Sequence, residues 1–199
     1  MAQTVLDDPD PLALFRPRVK CLRLATITSA PVRALCDRLA SANAKLVLAS
    51  VRSPARVHTF WALLLDKRAG ASTTLITTGY GTHASPTVAA IRAITEAAQS
   101  RLSIIHGSRE DLADKPAYTG AVRLTEAFAF YDGVTAGADW RALDDYSQAS
   151  LSDDYASLLR DLAAAGLNRI FRVDLTREPF NIPVVKVLVP GLLFDDRWM

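Results

Sequence analysis

The stretch Ser85-Pro86 to Gly107 limits the fold more than any other part of this chain. Between its proline and its glycine runs TVAAIRAITEAAQSRLSIIH, with no internal Gly or Pro. It follows directly on the β-branched run Thr73 to Thr78 and the segment Gly79-Tyr80-Gly81-Thr82-His83-Ala84. The β-branched run predicts a strand. Gly79-Tyr80-Gly81 ends it, because glycines let the backbone turn sharply. Pro86 suits a first helical turn. The longest helix then runs to about Ile105 and is closed by Gly107, with Arg101 and His106 near its negative pole.

The remaining elements follow from periodicity. Residues 1–19 hold three prolines and no period, and read as an irregular arm. Lys20 to Ala25 alternates and predicts a short strand. Ser29-Ala30-Pro31 starts a helix over 31–42, with Val32, Leu35, Cys36 and Leu39 on one face. Leu46 to Val51 and Val57 to Leu65 read as strands, and Lys67 to Ser72 as a loop. Residues 121–131 predict a further helix. Ser152-Asp153-Asp154 caps another over 153–165, with Gly166 after it. Ile170 to Leu175 and Ile182 to Val189 predict two strands, the second stopped by Pro190-Gly191. The fold class is α/β, with α+β as the alternative, built on one mixed β-sheet packed with helices. Residues 20–199 form one domain behind the arm.

Composition excludes several classes. The chain has 199 residues, 50% hydrophobic and 22% charged, which supports a packed core and argues against disorder. A net charge of +2 without basic runs gives no sign of a nucleic-acid partner. The longest apolar run, Phe60 to Leu65, falls far short of the roughly 20 residues that cross a bilayer, and the acidic first 15 residues do not read as a secretory signal. Cys21 and Cys36 make neither a zinc nor a CxxC motif and read as small hydrophobes. A cytoplasmic chain is the simple reading.

The junction of strand and long helix is also where chemistry is expected. A Gly-rich turn at Gly79, Gly81 and His83, leading into a helix N-terminus, can accept an anion such as phosphate. Gly79-x-Gly81-x-x-Ala84 loosely matches a dinucleotide fingerprint, but no second strand with an acidic end follows. Along the helix Arg92, Glu96, Gln99 and Ser103 share a face. An Arg92–Glu96 pair there is worth about 0.3–0.5 kcal/mol. The face is a solvated one on spacing alone, and a ligand-binding one if half-buried. The opposite side is expected to carry Val88, Ile91, Ile94, Ala98, Leu102 and Ile105. No GxSxG or HExxH occurs, and His58, His83 and His106 lie apart. The pairs Asp144-Asp145, Asp153-Asp154 and Asp195-Asp196 read as caps or solvated loops. No metal site is expected from these residues, and no catalytic residue stands out.

The segment from Thr78 to Asp111, TGYGTHASPTVAAIRAITEAAQSRLSIIHGSRED, resembles the YcaO family. Arg92, Glu96, Gln99, Ser100, Arg101, Gly107, Arg109, Glu110 and Asp111 stand where that family's helix and G-x-R-E-D tail place them. Residues 23–66 and 166–192 are similar to its flanking pieces. The resemblance implies the C-terminal half of a YcaO-like domain, of the type associated with TfuA-like proteins. Such proteins use ATP and Mg2+ to phosphorylate a peptide amide oxygen, giving an azoline or, with sulfide, a thioamide. It implies that Gln99 and Arg101 belong to a nucleotide pocket, that Arg101 and Arg109 face phosphate, and that Glu96 orients them or meets magnesium through water. The glutamate-rich elements of the family's N-terminal half do not occur here, so the resemblance implies one wall of a site. Whether this chain is itself an enzyme stays open, the alternative being a non-catalytic scaffold for a TfuA-like protein or leader peptide. An apolar face left by the missing half is expected to drive self-association.

Overall fold

The computed structural model describes residues 19–66, 76–105 and 137–192. The expected arm apart from Val19, the loop 67–72, Gly107, His106, Arg109, the helix over 121–131 and Asp195-Asp196 lie outside these. The described residues fall into two units. The first runs to Ser53 and from Val57 to Ser147; the second holds Pro54–Arg56 and everything from Gln148.

The first unit is a four-stranded antiparallel meander with two helices. Its strands are β1 (Val19–Cys21), β2 (Ala44–Val51), β3 (His58–Asp66) and β4 (Ile76–His83), in that order across the sheet. Helix α1 (Ala30–Ser41) joins β1 to β2, and α2 (Pro86–Ile105) follows β4. In β3 every residue from Phe60 to Leu65 is buried, so both faces of the central strand are covered. Phe60, Ala62 and Leu64, with Leu46 and Leu48 of β2, form the core under α2. The mixed sheet expected from sequence is thus antiparallel in its ladder, with one isolated parallel bridge between Leu22 and Ala138. The direct connections from β2 to β3 and from β3 to β4, with no helix between them, suit antiparallel pairing there.

The expected helices and strands that fall on described residues are present, with corrected ends. The first strand stops at Cys21, and Leu24–Thr26 is a 3-10 turn. Ser29 stands before α1 as expected, but its hydroxyl makes no capping hydrogen bond and is buried unpaired. Asn43, at φ 58°, turns the chain into β2. Both cysteines are free thiols, and burial pushes both up, with Asp37 adding to the effect at Cys36.

From Gly137 to Ser147 the chain lies as a strap across the first unit. Cys21 O accepts from Gly137 N and Ala138 N, at 3.0 and 2.9 Å. Arg23 bridges to Asp139 at 2.7 Å, and Arg141 does the same. Trp140 is buried on Phe60 with ring centroids 5.9 Å apart, and its N–H donates to Thr26 Oγ1 at 2.9 Å.

The second unit has one helix, α3 (Leu151–Ala164), and a two-stranded hairpin of β5 (Phe171–Asp174) and β6 (Val185–Leu188). The cap of α3 is Ser150, not Ser152: its Oγ accepts from Asp153 N and donates to the Asp153 carboxylate. At the other end Gly166 (φ 80°) and Leu167 donate to the Ala163 and Leu162 carbonyls. That double bond needs a left-handed residue, which is why glycine stands there. Arg56 holds Asp161 through its backbone N–H and guanidinium, and this pairing keeps the Asp161 carboxyl below its ordinary value.

Candidate functional site

Gly79 and Gly81 are not a turn. They lie inside β4, opposite Ala62 and Phe60 of β3, and the strand continues to His83. A Cβ on Gly79 would sit 2.2 Å from Ala97 N, and one on Gly81 would sit 2.1 Å from Ala89 O. The glycines are therefore where the backbone of α2 lies directly on the strand. The bend is made by Ala84 and Ser85 instead.

Close approach also decides which side of α2 is buried. Ala89, Ala90, Ala93 and Ala97 are fully buried, with Ile94 beside them. Of the apolar row expected from sequence, Ile94 is buried and Ile91 half-buried, while Val88, Ala98 and Leu102 are exposed. The helix is apolar on two sides, and glycine partners favour the side with the smallest residues. Bulk predicts the wrong row because contact distance, not hydrophobicity, is limiting here.

Around the start of α2 a polar cluster joins residues distant in sequence. His58 is buried, stacked on Tyr146 at 5.2 Å and on Phe60 at 6.1 Å. Its Nε2 donates to the Asp144 carbonyl at 2.6 Å. His83 accepts at Nδ1 from Ser85 N at 2.9 Å, which fixes its ring at the end of the strand. Ser85 Oγ donates to Asp145 Oδ2 at 2.9 Å, and Tyr146 N donates to the Ala84 carbonyl at 3.2 Å. Ser147 donates to Asp145 from both its N–H and its hydroxyl.

Asp145 is thus not a loose surface acid. Burial pulls its carboxyl up, but the Ser147 and Ser85 hydrogen bonds and the nearby His58 outweigh that and hold it below its ordinary value. Its charge stands beside the residue that precedes α2. The helix start favours an anion, and the one the structure places there is the protein's own. An incoming phosphate would meet like charge.

The lowered value has a sign. A carboxyl depressed in the folded state stabilises the fold above its unfolded value, about 3.9, and loses that contribution as pH falls further. Asp139, held down chiefly by the Arg141 hydrogen bond, acts in the same direction. Asp145→Asn should therefore flatten the loss of stability as pH falls below about 4. Tryptophan fluorescence during acid titration reads this. A variant curve that overlays the wild type would remove Asp145 from the latch.

Of the residues singled out for a nucleotide, Glu96 and Gln99 lie on one side of α2 and Arg101 on another. Arg92, Glu96 and Gln99 are exposed on one side of α2, with Ser103 half-buried on the same side. At about 100° per residue, Arg101 lies roughly 200° around the helix from Gln99. It is half-buried beside the alanine stripe. Arg109 is outside the described residues. Among the described residues no three His, Cys, Asp or Glu side chains are grouped to hold a metal, and no helix is long and apolar enough to cross a membrane. His58, Ser85 and Asp145 were not singled out from sequence. No local signal marks them, because their partners on the strap, Asp144 and Asp145, are 86 residues from His58 and 60 from Ser85.

An antiparallel sheet with a long helix seated on two strand glycines, and an exposed polar helix face, defines a fold with known relatives. Residues 12–193 match the family described as "YcaO cyclodehydratase, ATP-ad Mg2+-binding". The chain belongs to the YcaO family. It is 35% identical over 166 residues to an uncharacterized protein of Methanothermobacter thermautotrophicus, covering 81% of this chain and 42% of that one. It is 31% identical over 183 residues to an uncharacterized protein in the tfuA 3' region of Rhizobium leguminosarum bv. trifolii, covering 86% and 42%. Its fold is similar to that of YcaO from Methanopyrus kandleri bound with AMPPCP and Mg2+. That similarity has a TM-score of 0.69 and 23% identity, and covers 89% of this chain and 46% of the other. The chain spans less than half the length of each of these proteins.

Proposed function

We propose that this chain supplies one wall of an ATP- and Mg2+-dependent site that activates peptide amides, in the manner of a cyclodehydratase, in the cytoplasm. The observation that carries the reading is the family match over residues 12–193. The exposed Glu96–Gln99 face of α2 is the part of the match that can reach a ligand held mainly by another polypeptide segment.

The described residues fit the cofactors in part. Glu96 and Gln99 offer an acceptor and an amide to a bound nucleotide. Arg101 and Arg109 are the cations proposed for its phosphates. The magnesium ligands are proposed to come from the remainder of a YcaO domain, since the described residues provide no grouped set. When bound, ATP supplies the phosphoryl group that converts a poor leaving oxygen into a good one. This chain's residues orient the nucleotide and shield it from water.

Calorimetry with ATP and magnesium tests the reading. The chain alone should bind weakly or not at all. Together with the complementary part of a YcaO domain it should bind at micromolar concentration, and Gln99→Ala or Arg101→Ala should weaken binding about tenfold, the loss expected for one hydrogen bond to a charged group. A complex that forms without binding ATP would favour the second reading, a non-catalytic scaffold for a TfuA-like protein or a leader peptide. The relative from the tfuA 3' region supports that alternative.

A further inference from the structure

His83 ends β4 with a ring whose tautomer is set by the backbone. Ser85 N donates to its Nδ1 at 2.9 Å. A backbone N–H can only donate, so Nδ1 carries a lone pair and the neutral ring holds its one hydrogen on Nε2. Among the described residues nothing accepts that Nε2–H. The ring is half-buried, and Nε2 is not one of the polar atoms sealed away from solvent. His58, directly opposite in the register, differs: its Nε2 is already bound to the Asp144 carbonyl, between two stacked rings.

The donor stands at the head of the polar row of α2. Ser85, Val88, Arg92, Glu96 and Gln99 follow one another at spacings of three and four, so they run along one side of the helix. From Val88 onward they are exposed. The row passes the strand at Gly81, where a Cβ would lie 2.9 Å from Arg92 Cβ. His83 is two residues past Gly81 and so on the same face of β4. All of these residues belong to the first unit. At the start of the row is a neutral N–H, beside the Asp145 carboxylate that Ser85 Oγ binds at 2.9 Å. Farther along are Glu96 and Gln99.

We propose that His83 donates a hydrogen bond from Nε2 to a peptide carbonyl oxygen, so that the start of α2 is the peptide end of the site and the nucleotide lies toward Gln99. The inference rests on the amide-activating reading above. Asp145 selects the acceptor. A phosphate oxygen would meet like charge there, whereas a carbonyl oxygen is neutral and escapes that repulsion. A neutral imidazole at a helix start polarises a carbonyl oxygen without giving up its proton. The carbonyl carbon then becomes more open to a nucleophile. Ser85 N and the strap keep the ring aimed.

Histidine side-chain nitrogen NMR on the full chain tests the geometry, and two probes test the acceptor. The wild type should show His83 with Nδ1 bare and Nε2 protonated; the opposite tautomer overturns the proposal before any ligand is added. N-methylacetamide, a mimic of the peptide bond, should then shift the His83 ring nitrogens along a saturating curve, and inorganic phosphate should not. His83→Asn keeps an acceptor for Ser85 N but has no Nε2–H. Its affinity for N-methylacetamide, read at the Ser85 amide, should fall about tenfold, the loss of one hydrogen bond, while far-UV circular dichroism stays that of the wild type. His83→Gln, which restores a donor near Nε2, should regain most of the affinity. If either variant fails to fold, the wild-type tautomer and titrations still decide. A saturating response to phosphate in place of the amide, or to neither probe, overturns the proposal, and the second outcome leaves His83 as a cap on β4. ATP binding by the complex with the complementary part of a YcaO domain, with no amide response here, would leave the family reading standing and only the role of His83 wrong. An amide response without ATP binding would do the reverse.

Discussion

Gly81→Ala should destabilise the first unit by about 3 kcal/mol or more, at the upper end of what overpacking costs. The added methyl would lie 2.1 Å from the Ala89 carbonyl oxygen and 2.6 Å from Ala93 N. Both are backbone atoms of α2, so no side chain can rotate away. Relief requires lifting the helix from the strand, which opens the core that Ala89, Ala93, Ala97 and Phe60 close. With total stabilities of roughly 5–15 kcal/mol, one methyl removes a large share, and Gly81→Val should not fold. Gly137→Ala is the matched control, because a Cβ there meets nothing within 4 Å. Denaturant unfolding reads both. Equal midpoints for Gly81→Ala and the wild type would mean that α2 does not lie on the backbone of β4.

Trp140→Ala should cost about 3–5 kcal/mol, the range for deleting a large buried aromatic ring. The ring stacks on Phe60, at the centre of the core, and the residue's N–H is bound by Thr26. The loss should spread beyond the cavity. Trp140 pins the strap that delivers Asp145 to Ser85 and Tyr146 to His58, so the variant should also lose the acid dependence attributed to Asp145. Trp140→Phe should recover most of the stability, because it keeps a ring to stack on Phe60. Recovery by Phe of stability but not of the acid profile would show that the strap's backbone, rather than its ring, sets the position of Asp145.

Much of the element order could be read from the chain. The 3.6 period placed α1 and α2 within a residue or two. The β-branched and aromatic runs placed β2, β3, β5 and β6, and the glycine after Ala165 marked the end of α3. These features are local, and short-range sterics act on them directly. Gly79 and Gly81 were seen as important and given the wrong reason. Two glycines between a β-branched run and a helix read as a turn, whereas the strand continues through them to make room for a helix 10 to 20 residues further on.

The family was legible because its motif is contiguous, from Gly79 to Asp111. The site was less so. Glu96 and Gln99 do share an exposed face, as their spacing requires, while Arg101 starts from another side of the helix. The latch of His58, Ser85 and Asp145 had no signature at all.

The sequence by itself determined the lengths of α1 and α2, the positions of most strands and the family, since each depends on neighbours within a few positions. Only the tertiary structure decided which side of α2 is buried and what charge stands beside its N-terminus. Those outcomes depend on the distance between segments far apart in the chain, and that distance is set by how closely two backbones can approach.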